Sequence, residues 1–149
     1  MDNILEHLAV YTGMALTGYT LALAGAQLVG NLVSEKICSQ AHLDQVVEEE
    51  ARKIGVNQRT LVANFYVRNG PNYNNIRGAR SKVDDFVFEG RTIPMKVLEI
   101  KEGWGASRAA VRHELYHLKK HLPRKKNRLK SFFYEEPTAT VYELTGIKL

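Results

Sequence analysis

The chain reads as an α+β protein in which a long hydrophobic N-terminal helix precedes a compact domain of helices around a small three-stranded antiparallel sheet. Three patterns support that fold class. No charged residue occurs from Leu8 to Ser34. Apolar residues recur with helical period over 43–54 and 111–122, and alternating runs bounded by turn residues lie between those two segments. The composition, 149 residues with 44% hydrophobic and 25% charged, suits one ordered domain with a single core and excludes a disordered chain. A net charge of +5 permits contact with phosphate or an anionic membrane face without establishing either. Cys38 is the only cysteine. That excludes an internal disulfide and a cysteine-based metal site, and predicts a free buried thiol.

The uncharged run is long enough to cross a hydrocarbon layer, for which about 20 apolar residues suffice. Thr12, Thr17, Thr20, Gln27 and Asn31 dilute it, and Gly13, Gly18, Gly25 and Gly30 are costly in a helix packed against nothing. Ala9, Gly13 and Thr17, then Gly18, Ala22, Ala26 and Gly30, form small-residue ridges along which another helix can approach. Two readings follow for residues 1–36: a membrane helix that packs against copies of itself, or a buried helix of a soluble cytoplasmic oligomer. In the membrane reading, the excess of Lys and Arg after the run places the C-terminal domain, residues 37–149, on the cytoplasmic side.

In that domain, Leu43, Val46, Val47, Ala51 and Ile54 predict an amphipathic helix stopped by Gly55, with Glu48, Glu49 and Glu50 on its solvated face. Residues 60–68 alternate as a strand should, and 69–75 form a turn-rich loop. Residues 85–88 and 93–100 read as a β-hairpin about Glu89-Gly90-Arg91, with Pro94 at a strand start or edge. Gly103-Trp104-Gly105 turns the chain, and Ser107 is an N-cap for the next helix. A strand edge just before that helix offers main-chain pairing to an extended peptide.

The chemistry is concentrated in that helix, in Arg112-His113-Glu114-Leu115-Tyr116-His117, an H-E-x-x-H pattern. Residues four apart project on nearly the same side, at about 100° per residue, so both imidazoles reach one ion and suit zinc. Glu114 lies beside that ion, where a carboxylate can take a proton from the attacking water. Val111, Leu115, Leu118 and Leu122 form the buried stripe, which turns the His pair toward a cleft or solvent. Ala106, Ala109 and Ala110 leave room upstream for another segment of the chain.

Catalytic zinc sites use three protein ligands and one open position. Glu136 is the candidate third ligand and Glu135 the alternative, because a helix returning after the intervening loop brings either back to the depth of His117. Ala139 and Tyr142, at i+3 and i+6, turn Glu136 toward the His helix, and Pro137 suits a first helical turn. His121 is excluded, since three i+4 positions on one straight helix climb about 6 Å per step and cannot close a tetrahedral site. Pro123 ends the His helix. Around it, Lys119, Lys120, Arg124, Lys125, Lys126, Arg128 and Lys130 form either a solvated loop or an anion-binding run for lipid headgroups or nucleic-acid phosphate. Tyr116, Tyr134 and Tyr142 are candidates to steady an oxyanion, and spacing does not rank them.

His113-Glu114-x-x-His117 followed by Glu136-Pro137-Thr138-Ala139 resembles the gluzincin metallopeptidases, and the region from about Cys38 to Leu149 is similar in size to the minigluzincins. The resemblance implies a zincin-like minimal domain with Zn2+ on His113, His117 and Glu136, Glu114 as general base, and a protein or peptide substrate. The apolar run and the E-x-x-A pattern also resemble HtpX-like membrane peptidases, though Thr140 stands where that family has Asp. The basic run is similar to that of SprT-like DNA-associated proteases. Two rival expectations are a non-catalytic membrane or assembly protein with a structural metal, and a nucleic-acid-associated protease.

Overall fold

A computed structural model describes residues 2–76, 78–120 and 131–146. Among the described residues, four α-helices and one three-stranded sheet follow in the order α1 (Asp2–Val33), α2 (Gln40–Ile54), β1 (Leu61–Tyr66), β2 (Ala79–Phe88), β3 (Arg91–Lys101), α3 (Arg108–Lys120) and α4 (Glu136–Thr145). The fold is α+β, as the alternation of periods implied. Pro123, His121 and Leu122 lie outside the described residues.

The ends of these elements have local causes. The Ser39 hydroxyl caps α2 by accepting from the His42 amide at 3.1 Å, and Gly55, at φ 77, closes it in the left-handed conformation that a side chain would strain. Ser107 caps α3 by accepting from the Ala110 amide. Glu89 (φ 49) and Gly90 (φ 74) supply the two left-handed residues of a tight hairpin turn between β2 and β3. The hairpin is longer than the sequence predicts, pairing Ala79 with Ile100 at its base.

The strand order is β1-β3-β2, and β1 pairs with β3 in parallel, from Leu61 opposite Lys96 to Tyr66 opposite Lys101. The sheet is therefore mixed and not the antiparallel one expected. After β1 the chain crosses the sheet end and enters β2 one strand-width beyond its neighbour. The tight turn then folds β3 back into the gap. That position suits β3, whose Val97, Leu98, Glu99 and Ile100 are all buried, because a central strand is covered on more sides than an edge strand. Pro94 sits opposite Asp85, before the pairing with β1 begins at Lys96, so its missing amide costs no ladder bond on that side.

One core joins α2 (Leu43, Val46, Ala51, Ile54), β3 (Leu98, Ile100), α3 (Val111, Leu115, Leu118) and α4 (Ala139, Tyr142). Burying each large aliphatic side chain contributes about 1.5–3 kcal/mol. Two expectations are corrected here. Cys38 is exposed. Glu50 is fully buried and not part of a solvated face, because it lies on the apolar stripe of α2 and meets Arg108, Arg112 and Lys53.

The two halves of α1 differ. Residues 9–18 are exposed on every side, whereas Tyr19, Leu23, Ala26, Gly30, Asn31 and Ser34 are covered at helical spacing. At Gly30 an added Cβ would stand 3.0 Å from the Glu143 carboxylate and 3.1 Å from Leu144, so the missing side chain is what lets α4 approach. Gly13, Gly18 and Gly25 meet nothing comparable. Ser34 accepts from the Ala109 amide at 2.9 Å, and Asn31 accepts from the Ser107 hydroxyl, so the end of α1 fills the room left by the small residues at the start of α3.

Candidate metal centre

α3 presents His113 and His117 one turn apart, and α4 brings Glu136 back against them. The His113 and His117 Nε2 atoms are 3.1 Å apart. One Glu136 oxygen lies 3.4 Å from His113 Nε2 and the other 3.6 Å from His117 Nε2. Two imidazole lone pairs at such a distance repel each other unless a proton or a cation lies between them. A tetrahedral zinc with bonds of about 2.0–2.1 Å separates its ligand atoms by about 3.3 Å, close to the spacings found here. The chemistry of the donors also fits, with two neutral imidazoles and one carboxylate. Glu135 precedes α4, outside this group. A π-helical turn, Ser131–Glu135, leads into α4 just before Glu136.

His113 lines a cleft, as the apolar stripe of α3 implied, and is half-buried, whereas His117 is buried. The cause is α4, which lies over the His face of α3. Glu114 faces a cleft of about 150 Å³ beside the group, shared with Gln27 and Asn31 of α1, Ala79 of β2, and Ala110, His113 and Glu143.

Glu143 is the site residue that sequence reasoning missed. It is buried, and its carboxylate accepts from His113 Nδ1 at 3.1 Å. A carboxylate only accepts, so the proton sits on Nδ1 and the Nε2 lone pair of the neutral ring is left facing His117 and Glu136. Its signal was legible: seven residues after Glu136, two helical turns, puts it on the same face of α4.

The charges reinforce one another. In the metal-free chain burial lowers the His113 pKa, but the carboxylates of Glu136 and Glu143 outweigh burial and raise it to about 9. His113 and then His117 hold Glu136 well below the usual carboxylate range. Proton or metal ion, the group is built to hold positive charge between its rings.

Of the tyrosines, Tyr116 and Tyr142 lie in the core and do not reach the cleft as oxyanion donors; burial raises the Tyr142 pKa. Tyr134 is exposed. Arg124, Lys125, Lys126, Arg128 and Lys130 lie outside the described residues, as does the side chain of Lys120, whereas Lys119, in the last turn of α3, is half-buried. The strand just before α3, β3, is central and paired on both sides, so the free edge near the cleft is that of β2.

Behind the group, Glu50 accepts from Arg108 at 2.8 Å and from Arg112 at 3.1 Å, tying α2 to the first turns of α3. Arg108 also reaches Glu35 and Glu49. Comparison of the chain with protein-family models, curated proteins and solved structures finds no match.

Proposed function

We propose that the chain is a zinc-dependent peptidase of gluzincin type, with His113, His117 and Glu136 as metal ligands and Glu114 as general base. The observation that carries this is the approach of two imidazole nitrogens and a carboxylate within 4.8 Å of one another, on helices that also present Glu114 to an adjoining cleft. Zinc, when bound, supplies Lewis-acid polarisation of a carbonyl and lowers the pKa of water toward about 7.

The residues divide the remaining work. Glu114 accepts the proton of the attacking water on its carboxylate and passes it to the leaving amine. Glu143 holds His113 in the Nδ1–H tautomer. The unpaired edge of β2, which enters the cleft at Ala79, offers main-chain groups to an extended peptide. α1 tethers the domain to a membrane, a reading supported by the one described helix long and apolar enough to cross a bilayer, Ala9–Val33 with mean hydropathy 1.2.

The direct test is removal and return of the metal. A zinc-loaded chain is expected to cut a disordered polypeptide, to stop when a chelator strips the metal, and to recover when zinc is restored. Cleavage that persists in the stripped chain contradicts the proposal. The alternative of a structural metal is separated by coordination, since a fourth protein ligand closes the site whereas solvent leaves it open.

Glu143→Ala removes the carboxylate that orients His113. Zinc affinity is expected to fall about 10–100-fold, as when other outer carboxylate partners of a ligand histidine are lost. Competition against a chromophoric chelator measures this, with circular dichroism to show that the helices persist. An unchanged affinity removes Glu143 from the site.

A further inference from the structure

Where the membrane surface falls on this molecule can be read from how α1 meets the domain. Three contacts fix the register of α1 against the C-terminal segment. The Tyr19 and Phe133 rings lie 5.8 Å apart, Gln27 donates to Thr140 at 3.5 Å, and Gly30 meets Glu143. Both numbers rise together, so the two segments run parallel, and Glu136 is level with about Leu23.

The uncovered, uncharged part of α1 is too short to span a membrane alone. From Leu8 to Gly18 it measures roughly 16 Å at 1.5 Å per residue, against about 30 Å of hydrocarbon. A span that begins where charge stops, at Leu8, needs about 20 residues and so runs to about Gln27. The side chains agree. Val10, Tyr11, Met14 and Leu21 are exposed apolar groups along this stretch, and Gln27 and Asn31 restore polarity where the cleft begins. Phe133, an exposed aromatic against Tyr19, falls within the same length and adds apolar surface to it.

We propose that the bilayer takes up α1 as far as about Gln27, so that the cleft opens at the membrane boundary and receives polypeptide segments that lie on the bilayer or emerge from it. The substrate part rests on the peptidase reading above, and the placement does not. A helix that spans cannot leave this site in bulk water, because the Glu136 level falls within the embedded length. A soluble peptide then meets the cleft only from the side, whereas a segment held at the surface is presented at high effective concentration.

The test uses the full chain in vesicles of phosphatidylcholine with one-fifth phosphatidylglycerol. In a Cys38→Ser background, a fluorophore is attached to a single cysteine at position 12, 48 or 141, and quenchers are carried on lipid acyl chains or headgroups. Position 12 is expected to be quenched at least several-fold more by the acyl-chain quencher, position 141 by the headgroup quencher, and position 48 by neither. No quenching at 12, or a response at 141 no greater than at 48, overturns the placement. So does shielding of position 12 in a vesicle-free, detergent-free oligomer, which would mean that copies of the chain cover the helix. One peptide sequence, offered free or lipid-anchored, is expected to be cut at least tenfold faster when anchored; equal rates overturn the substrate class. If neither form is cut while the quenching pattern holds, the peptidase reading fails and the placement stands.

Discussion

Glu114→Gln is expected to leave one equivalent of zinc bound while lowering peptide hydrolysis by about 10²–10⁴-fold, the usual contribution of a positioned proton-transfer group. Gln matches Glu in size and still accepts hydrogen bonds through its amide oxygen, but it does not take up a proton near neutral pH. The substitution touches none of His113, His117 and Glu136, so the metal count should hold. Two readouts separate the outcomes. Lost hydrolysis with retained zinc assigns Glu114 the proton step, and equal turnover removes it from the mechanism. Loss of both would mean that Glu114 acts on the metal centre, contrary to the assignment of ligands.

Glu50→Ala is expected to destabilise the fold by about 3 kcal/mol, the lower end of what breaking a buried ion pair costs, since Arg108 and Arg112 keep some contact with water. The loss comes less from the attraction removed than from the mostly covered Arg112 guanidinium, which loses Glu50, whereas Arg108 keeps Glu35 and Glu49. Because those arginines start α3, the same substitution should loosen the helix that carries both imidazoles. The pH dependence has a definite sign. Burial alone raises the Glu50 pKa, but the hydrogen bonds from Arg112, Lys53 and Arg108 outweigh it and hold it below the ordinary carboxylate value. A depressed folded pKa stabilises fully above the unfolded value of about 4.3 and loses that contribution as pH falls through the folded value. Denaturant unfolding of the metal-free chain from pH 7 downward should show wild type losing its advantage over Glu50→Ala only below about pH 4. A constant gap down to the acid limit would contradict it.

What the sequence disclosed was local. The i, i+4 spacing of His113 and His117 needs only a helix, and Val111, Leu115 and Leu118 supply its apolar stripe. The hairpin was legible from Glu89-Gly90, and two helix ends from Gly55 and Ser107. The parallel pairing of β1 was not, because strand order depends on which strand is buried deepest and not on adjacency in the chain. Glu50 was misread by residue type: it falls seven residues after Leu43 on the apolar stripe, and only its partners on α3, some sixty residues later, make its burial tolerable. Glu143 was legible in position, seven residues after Glu136, and only its acceptor role is defined by a ring on another helix. The docking face of α1, from Tyr19 to Ser34, was hidden for a different reason. Small and apolar residues surround the whole helix, so no contrast marks the side that the domain covers.

X-ray absorption at the zinc edge, on the purified chain after one equivalent of zinc, tests the central claim most directly. Two imidazole nitrogens and a carboxylate oxygen at about 2.0–2.1 Å, with one further oxygen from solvent, are the expected first sphere. Loss of the imidazole scattering in His117→Ala should accompany loss of tight binding. Failure to bind stoichiometric zinc, or a sphere that lacks paired imidazoles, would contradict the account.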